Sequence, residues 1–372
     1  MNTVKNDTDE VLVSCQSVWK VFGDNAQTAM QAYIERGLSK KQILQDFGCV
    51  VGVSDVNIQL RRGEIFCIMG LSGSGKSTLI RMLNKLIAPT SGQILVKGKD
   101  LAKLDGAELR DIRARHIGMV FQSVALLPHR TVLENAAFGL EVRGVAKAER
   151  HKVAEQALAK VGLSDWANRY PSELSGGMQQ RVGLARAITS DPEVILMDEP
   201  FSALDPLIRR QLQDEFRELT KSLGKSAVFI THDLEEAIRI GDRIAIMKDG
   251  MIIQEGTAEE IVLHPADDYV AEFVAGISRL HLVKAEAVMT PIAVWRAAHP
   301  QTDLSSLPVA DIQADLDDLI NLLIRSDCEA LAVADGGVVQ GVVSQRDLLR
   351  GVQGSANEFQ DLAHSPAVES TP

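Results

Sequence analysis

A nine-residue glycine-rich stretch constrains the fold of this chain more than any other feature. It matches the pattern GxxxxGK[ST], and its residues are Gly70, Leu71, Ser72, Gly73, Ser74, Gly75, Lys76, Ser77 and Thr78. An apolar run, residues 65–69, precedes it, and residues 78–85 have helical spacing, so the stretch would join a buried strand to a helix. Glycines let successive backbone N–H groups point into one concavity, and the helix N-terminus adds partial positive charge. The stretch therefore predicts a phosphate-binding loop in an α/β fold.

Two acids after a second apolar run complete the predicted phosphate site. Residues 194–197 are apolar and are followed by Asp198 and Glu199. In such sites the lysine of the loop, here Lys76, reaches the β- and γ-phosphates, while Ser77 and an acid at a strand end, here Asp198, hold Mg²⁺. Glu199, one residue further on, can orient or deprotonate an attacking water. A nucleoside triphosphate with Mg²⁺ is the ligand pair that this arrangement predicts, and GTPases, kinases and ATPases all stay open at this point.

Composition limits the class of protein. The 372 residues correspond to about two domains at ~150 residues per domain. Acidic residues outnumber basic ones 50 to 39, the formal net charge is −11, and aromatic residues make up only 4%. Binding of nucleic acid normally needs a basic surface, and base stacking needs aromatic side chains, so no nucleic-acid partner is expected.

The N-terminus and the hydropathy pattern predict a cytoplasmic protein. No run of about 20 apolar residues could span a membrane, and the first residues lack the apolar core of a signal peptide. The four cysteines, Cys15, Cys49, Cys67 and Cys328, are scattered without a CxxC pair, which favours a reducing compartment and no metal cluster. Up to about residue 250, short apolar runs alternate with amphipathic segments, and this pattern predicts a largely parallel sheet with helices.

A second motif narrows the class of phosphate-binding protein. The sequence Leu-Ser-Gly-Gly-Met-Gln-Gln-Arg at 174–181 lies before a helical segment, and its Ser175 is 23 positions before Asp198. It resembles the LSGGQ signature of the ATP-binding cassette (ABC) ATPases, with Met178 where the commonest version has Gln. Further family elements follow the expected order: Gln122 after one apolar run, Asp205 in the sequence Ser-Ala-Leu-Asp, and His232 in Thr-His-Asp. The resemblance implies the ABC cassette fold, with a mixed sheet core and a helical signature subdomain.

The resemblance also implies how these residues would act. Two copies of the chain would close head to tail over two ATP molecules, and the signature of one copy, at Ser175, Gly176, Gly177 and Gln179, would face the phosphate loop of the other. Gln122 would contact Mg²⁺ or the attacking water and sense the membrane partner, His232 would contact the γ-phosphate and hold Glu199, and Asp205 would link the two sites.

An aromatic side chain near the N-terminus is expected to stack on the adenine. Phe22 aligns with that family position. An ordinary core position for Phe22 is nearly as compatible with the sequence, and Trp19 or Tyr33 could take its role.

The expected partners are transmembrane permease subunits, with a substrate-binding protein acting indirectly. Residues 123–129 and 131–141 are apolar for a surface region, and Thr131 with Glu134 would form a helix-capping box. In this family such a surface receives the coupling helix of the permease, at the cytoplasmic face of the membrane. Packing within the helical subdomain is the alternative.

Two segments point to one branch of the family. The chain contains a helical insert at about 25–48. This insert and the residues in and around the motifs resemble the ATPase of glycine betaine/proline (quaternary amine) uptake transporters, over residues 11–277. Residues 288–349, with Ser344 and Asp347, resemble one cystathionine-β-synthase (CBS) repeat, whose Ser-x-x-Asp element can contact a nucleotide. That family carries a pair of CBS repeats, whereas this chain shows one. Binding of a nucleotide and simple dimerisation are therefore both possible roles for this repeat.

These observations predict a flexible N-terminus at 1–10, an ABC ATPase domain at 11–280, a helical signature subdomain at about 122–190, a CBS-like domain at 281–352 and a disordered tail at 353–372. The expected function is ATP-driven import of glycine betaine, proline or a related amine such as choline, carnitine or trimethylamine N-oxide. An importer ATPase for another small solute, a soluble non-transport ABC ATPase, and a protein that is chiefly a ligand-sensing regulator are the alternatives.

Overall fold

The computed structural model describes residues 10–300 and 304–353. The chain divides into two compact units, Met1–Thr257 and Ala258–Pro372. The boundary therefore precedes the expected position at 280, because Leu263 and Leu280 both pack against the hydrophobic core of the second unit. The predicted flexible start and disordered tail lie almost wholly outside the described residues.

The first unit contains two sheets. Their strands are β1 (Val11–Phe22), β2 (Val50–Arg61), β3 (Ile65–Met69), β4 (Ser91–Val96), β5 (Lys99–Asp100), β6 (Ile117–Val120), β7 (Val194–Asp198), β8 (Ser226–Thr231), β9 (Arg243–Lys248) and β10 (Met251–Gly256). One sheet has the order β2-β1-β4-β5 and is antiparallel. The other has the order β10-β9-β3-β8-β7-β6 and is parallel except for its β9–β10 edge. The sheet core is therefore mixed, as predicted.

Ten helices surround these sheets in the described part of the first unit. They are α1 (Ala26–Arg36), α2 (Lys40–Phe47), α3 (Lys76–Leu83), α4 (Gly106–Arg115), α5 (Val132–Ala136), α6 (Phe138–Val142), α7 (Lys147–Lys160), α8 (Gly176–Thr189), α9 (Pro206–Ser222) and α10 (Leu234–Ile240). Short 3₁₀ turns cover Ser164–Trp166 and Pro171–Glu173. The insert contains α1 and α2, which end at Gly37 and Gly48 with left-handed φ of 62° and 63°.

The second unit is built around a four-stranded sheet. Its elements are α11 (Ala258–Leu263), α12 (Asp268–Val274), α13 (Ala285–Val288), β11 (Thr290–Pro291), α14 (Ile292–Ala298), a 3₁₀ turn (Leu304–Ser306), β12 (Val309–Asp311), α15 (Leu316–Ser326), β13 (Ala330–Asp335), β14 (Val338–Ser344) and α16 (Gln345–Gln353). The strand order is β11-β14-β13-β12. Leu319, Leu331, Val333 and Val343 form part of its core. The expected helix–strand–turn–strand–helix arrangement over residues 316–349 is present.

Strand register brings the predicted site residues to one edge of the parallel sheet. Met69 at the end of β3 pairs with Thr231 in β8, and Asp198 at the end of β7 pairs with Ile230. The carboxyl ends of parallel strands form the usual ligand-binding edge of such sheets. The phosphate loop, the two acids and His232 all begin at this edge. In the part of the chain that the structure describes, no helix combines the length and the apolar character needed to cross a membrane.

Candidate active site

The glycine-rich loop has the conformation that its sequence predicts. Gly70 and Gly75 have φ of +153° and +109°. A Cβ at Gly70 would lie 2.1 Å from the carbonyl oxygen of Met247, and one at Gly75 would lie 2.4 Å from that of Gly52. Both positions need glycine because other residues would be strained there and would clash with neighbouring backbone.

Lys76 is held inside this loop. Its side chain is 4% exposed, and its Nζ donates hydrogen bonds to the carbonyl oxygens of Gly70 (2.8 Å) and Leu71 (3.0 Å). The same Nζ lies 3.9 Å from Oε1 of Glu199. Burial lowers the pKa of Lys76, while the charges of Glu199 and Asp198 oppose that shift. The loop therefore positions a cation at its centre, where a phosphate chain would enter.

Ser77 and Asp198 meet as the sequence predicts for a magnesium site. The Oγ of Ser77 donates to Oδ1 of Asp198 over 2.8 Å. Hydroxyl and carboxylate oxygens are ligands that suit Mg²⁺, so these two residues fit that ion. The Nη2 of Arg81 lies 3.7 Å from Oδ2 of Asp198, a contact that the sequence reading missed. The sequence does contain an indication of this contact, because Ser77 and Arg81 are four residues apart and therefore share one face of α3.

Glu199 lies between the loop lysine and His232. The Nδ1 of His232 is 3.0 Å from Oε2 of Glu199. Glu199 has a φ of +46°, a left-handed conformation that costs energy for a non-glycine residue and is commonest at functional sites. Its backbone is fixed by the N–H bond to the carbonyl oxygen of Ile230 at 3.1 Å. The carboxylate is thus placed one residue beyond Asp198.

Gln122 reaches this group through Ser202. Its Nε2 donates to Oγ of Ser202 over 3.3 Å, and that hydroxyl donates to the carbonyl oxygen of Glu199 over 3.1 Å. The structure thus brings Gln122 to the loop that follows Glu199. Ser202 was not predicted as a site residue, although it lies in the Ser-Ala-Leu-Asp motif.

The signature residues line a different cavity. Ser175 caps α8, since its Oγ accepts a hydrogen bond from the N–H of Met178 at 3.3 Å. A cavity of about 570 Å³ is lined by Ser175, Gly176, Gly177, Leu204 and Asp205, among others. Among the described residues that line it, none belongs to the phosphate loop. Within one chain, the signature residues therefore line a cavity that does not include the phosphate loop.

Two predicted residues of this region act locally. Asp205 caps α9 by accepting from the N–H of Ile208 at 3.1 Å. The Nε2 of Gln179 donates to the carbonyl oxygens of Pro171 (3.1 Å) and Leu174 (3.3 Å). The amide of Gln179 thus braces the turn before α8.

Phe22 lies at the end of β1 with its ring 39% exposed. A Cβ at Gly52 would lie 2.8 Å from this ring, and Gly52 in turn contacts Gly75 of the phosphate loop. Trp19 and Tyr33 instead pack on each other, with ring centroids 5.8 Å apart, beside the core of the insert. Of the three aromatic candidates, Phe22 is the most exposed and lies next to the loop, with Nζ of Lys20 5.0 Å from the centroid of its ring.

The expected apolar surface at 131–141 is mostly internal packing. Val132, Leu133, Ala136, Ala137 and Leu140 are buried, because α5 and α6 pack against α8. The predicted helix is two short helices, and its capping box between Thr131 and Glu134 is present. Val142 stays 68% exposed. It borders a groove of about 580 Å³ whose other lining residues include Arg110, Met119, Phe138, Arg143 and Arg186.

In the second unit, Ser344 and Asp347 form a helix cap. The Oγ of Ser344 donates to Oδ2 of Asp347 over 2.6 Å, and the N–H of Asp347 donates back to that Oγ over 3.3 Å. Asp347 is 6% exposed. Both side chains are therefore engaged with each other at the start of α16.

Comparison with known proteins agrees with this geometry. The family described as "ABC transporter" matches residues 53–202. The glycine betaine/proline betaine transport system ATP-binding protein ProV of Salmonella typhimurium is 53% identical over 288 residues, which cover 77% of this chain and 72% of that protein. The trimethylamine N-oxide transport system ATP-binding protein TmoW of Ruegeria pomeroyi is 43% identical over 338 residues, covering 91% of this chain and 96% of that one.

Solved structures match the first part of the chain. A dimeric ATP-binding cassette, determined in a post-hydrolysis state with ADP and phosphate bound, superposes with a TM-score of 0.55 and 33% sequence identity. The match covers 66% of this chain and 98% of that one.

Proposed function

This chain belongs to the glycine betaine/proline betaine uptake family of ABC transporter ATP-binding proteins, and from that membership we propose that it hydrolyses ATP to power import of a quaternary or methylated amine. Glycine betaine and proline betaine are the first candidate substrates, because ProV, which is 53% identical, is named as the ATP-binding protein of a glycine betaine/proline betaine transport system. Proline, choline, carnitine and trimethylamine N-oxide are related candidates. The convergence of Lys76, Asp198, Glu199 and His232 at one sheet edge is the observation that carries the ATPase assignment.

Different residues of the site bind the adenine, the phosphate chain and Mg²⁺. The adenine stacks on the exposed side chain of Phe22, and the phosphate chain enters the loop from Gly70 to Thr78, where backbone N–H groups and Lys76 offset its charge. Ser77 and Asp198 would hold Mg²⁺ together with the phosphates, and the ion would neutralise charge on the phosphate oxygens. Gln122, which donates to Ser202 in the loop that follows Glu199, would approach the ion or the attacking water from that side.

Glu199 carries out the proton transfer. Its carboxylate takes a proton from a water whose oxygen attacks the γ-phosphorus, and the bond from that phosphorus to the β–γ bridging oxygen breaks, leaving ADP and phosphate. His232 holds the carboxylate through the 3.0 Å contact and offers its other ring nitrogen to the γ-phosphate side. Asp198 is paired with Ser77 whereas Glu199 is paired with His232, so the two acids have different roles.

A second copy of the chain completes each site. The signature residues Ser175 and Gly177 lie at the start of α8, where a helix N-terminus favours an anion. Since they line a cavity apart from the phosphate loop, the γ-phosphate that they contact is held by the partner copy. The dimeric ADP-bound cassette that this chain resembles supports such an arrangement.

The motion of this dimer is delivered to a permease. We place the docking surface at the groove beside Val142 and Arg143, and infer that the chain works at the cytoplasmic face of the membrane, with a substrate-binding protein on the far side. The second unit serves as a CBS-like regulatory or dimerisation module. Ser344 and Asp347, the side chains that would contact a nucleotide, are paired with each other at the start of α16, so a nucleotide would have to replace that hydrogen bond.

Measurement of phosphate release by the purified chain tests the ATPase assignment. We expect Mg²⁺-dependent hydrolysis that rises more than linearly with protein concentration, since two copies form the site. Hydrolysis that persists in EDTA would argue against the ATPase assignment. Hydrolysis that is strictly linear in protein concentration down to the nanomolar range would argue against a site shared by two copies.

A further inference from the structure

Lys40 is a charged side chain that the mechanism above does not use. It is the first residue of α2 in the helical insert, and it is half-buried. Within the described part of the chain, its Nζ makes no hydrogen bond and no ion pair with a carboxylate. Burial lowers the pKa of Lys40, and the charge of Asp249 opposes that shift only from a distance. A half-buried cation without a close counter-charge is costly, and an anion that binds beside it would offset that cost.

The ammonium group of Lys40 lies beside the backbone that supports the phosphate loop. A Cβ built on Gly250 would be 3.2 Å from Nζ of Lys40 and 2.9 Å from the carbonyl oxygen of Gly52. The N–H of Gly250 donates to the carbonyl oxygen of Ser74, in the loop itself, over 2.8 Å. The insert, whose role the family resemblance leaves open, therefore brings one cation to the wall of the nucleotide site.

The same wall connects the base platform with the loop. Gly52 touches the ring of Phe22 on one side, and its carbonyl oxygen approaches Gly75 on the other. A nucleotide with its base on Phe22 and its phosphates above Gly75 has to pass Gly52. A flexible lysine side chain next to Gly52 and Gly250 can reach the phosphate oxygens along that path.

We propose that Lys40 is a nucleotide-binding residue supplied by the helical insert, whose ammonium group pairs with an anionic oxygen of the phosphate chain. This inference rests on the proposed ATPase function. A phosphate oxygen is favoured over the ribose hydroxyls because an unpaired cation gains most from a negative charge.

Nucleotide affinity of full-length variants tests the inference. In a Glu199→Gln background, which stops turnover, dissociation constants for ATP and for adenosine are measured by calorimetry or competition. We expect Lys40→Met to weaken ATP binding about tenfold and to leave adenosine binding unchanged, with the difference shrinking in high salt. Lys40→Arg should restore most of the affinity. Lys41→Met, an exposed neighbour on the same helix, is the matched control and should match the parent.

Each result decides the matter. Equal ATP affinity of Lys40→Met and the parent would overturn the inference, and so would an equal loss for ATP and adenosine, because that would show a structural role for the insert. Failure of the Glu199→Gln parent itself to bind ATP would instead contradict the ATPase assignment on which the inference rests.

Discussion

The Nδ1 of His232 lies 3.0 Å from Oε2 of Glu199, and the opposite oxygen of that carboxylate lies 3.9 Å from Nζ of Lys76. One carboxylate thus joins the residue after β8 to the phosphate loop after β3. The carboxylate is therefore held from both sides, by a long ion pair to the ammonium group of Lys76 and by a hydrogen bond to the imidazole of His232.

Glu199→Gln is expected to reduce ATP turnover by at least about 100-fold, since an amide cannot accept the proton of the attacking water. ATP binding should be retained, and the ATP-bound dimer should accumulate, because the amide keeps the shape of the side chain. Phosphate release and size-exclusion chromatography with and without ATP measure both effects. His232→Ala should also lose turnover. Near-normal turnover of Glu199→Gln would show that another group is the base.

Phe22→Ala is expected to weaken ATP binding by about tenfold or more, because stacking of a base on an aromatic ring is worth about 1–3 kcal/mol. Phe22→Tyr should bind nearly as well as the parent. Trp19→Ala is the control: Trp19 packs on Tyr33, so its loss should lower the melting temperature with little change in affinity. The opposite ranking of the two alanine variants would assign the stacking role to Trp19 instead of Phe22.

Arg209 is predicted to be a positioning residue for the catalytic loops. Its Nη2 donates to the carbonyl oxygens of Ser202 (3.3 Å) and Leu204 (3.0 Å), and its Nη1 lies 3.9 Å from Oδ2 of Asp233, next to His232. Arg209→Ala should lower kcat about tenfold with little change in KM, because it loosens these loops without touching ATP. Arg209→Lys should recover part of kcat.

Arg210→Ala is the matched control for this prediction, since Arg210 is the exposed neighbour on α9. Its kinetics should equal those of the parent. A rise in KM for Arg209→Ala with unchanged kcat would contradict the positioning role.

Glu193 is predicted to make stability depend on pH. Burial alone would raise the pKa of Glu193, but hydrogen bonds from Lys97, His116 and Arg62 outweigh burial and lower the pKa from 4.5 to about 2. A pKa that is lower in the folded state stabilises the protein above pH 4.5, and this contribution is lost as the pH falls toward 2. Glu193→Gln should therefore lower the free energy of unfolding by about 1–2 kcal/mol at pH 7.

Urea unfolding at several pH values checks this. The difference between the parent and Glu193→Gln should be constant from pH 7 to about 5 and shrink between pH 4.5 and 3. Glu155→Gln, an exposed carboxylate on α7, should show little difference at any pH. A gap that grows on acidification would contradict the assigned direction of the shift.

The sequence predicted the parts of the site that local chemistry determines. Glycines with φ of +153° and +109°, a buried strand before them and acids after another strand are all visible in the order of residues, and the structure contains them. The boundary between the units was misplaced because Leu263 and Leu280 join the second core, a long-range packing choice that composition does not reveal.

Contacts between distant segments were also beyond the sequence. Nothing in the pattern pairs Lys40 with the turn at Gly250, or Arg209 with Asp233, since those proximities arise only when the insert and α10 pack onto the sheet. The predicted apolar surface at 131–141 also depended on packing between distant segments. Its spacing fits both a surface groove and burial against α8, and packing selected burial for most of it.

Uptake of labelled glycine betaine into proteoliposomes tests the central claim most directly. The purified complex of this chain with its permease is reconstituted with ATP on the side of the ATPase, and uptake is followed with and without the substrate-binding protein. We predict accumulation that requires ATP and Mg²⁺, is lost with Glu199→Gln, and is competed by proline betaine or trimethylamine N-oxide. Uptake that proceeds equally with the Glu199→Gln chain, or no uptake of any quaternary or methylated amine despite active ATP hydrolysis, would contradict it.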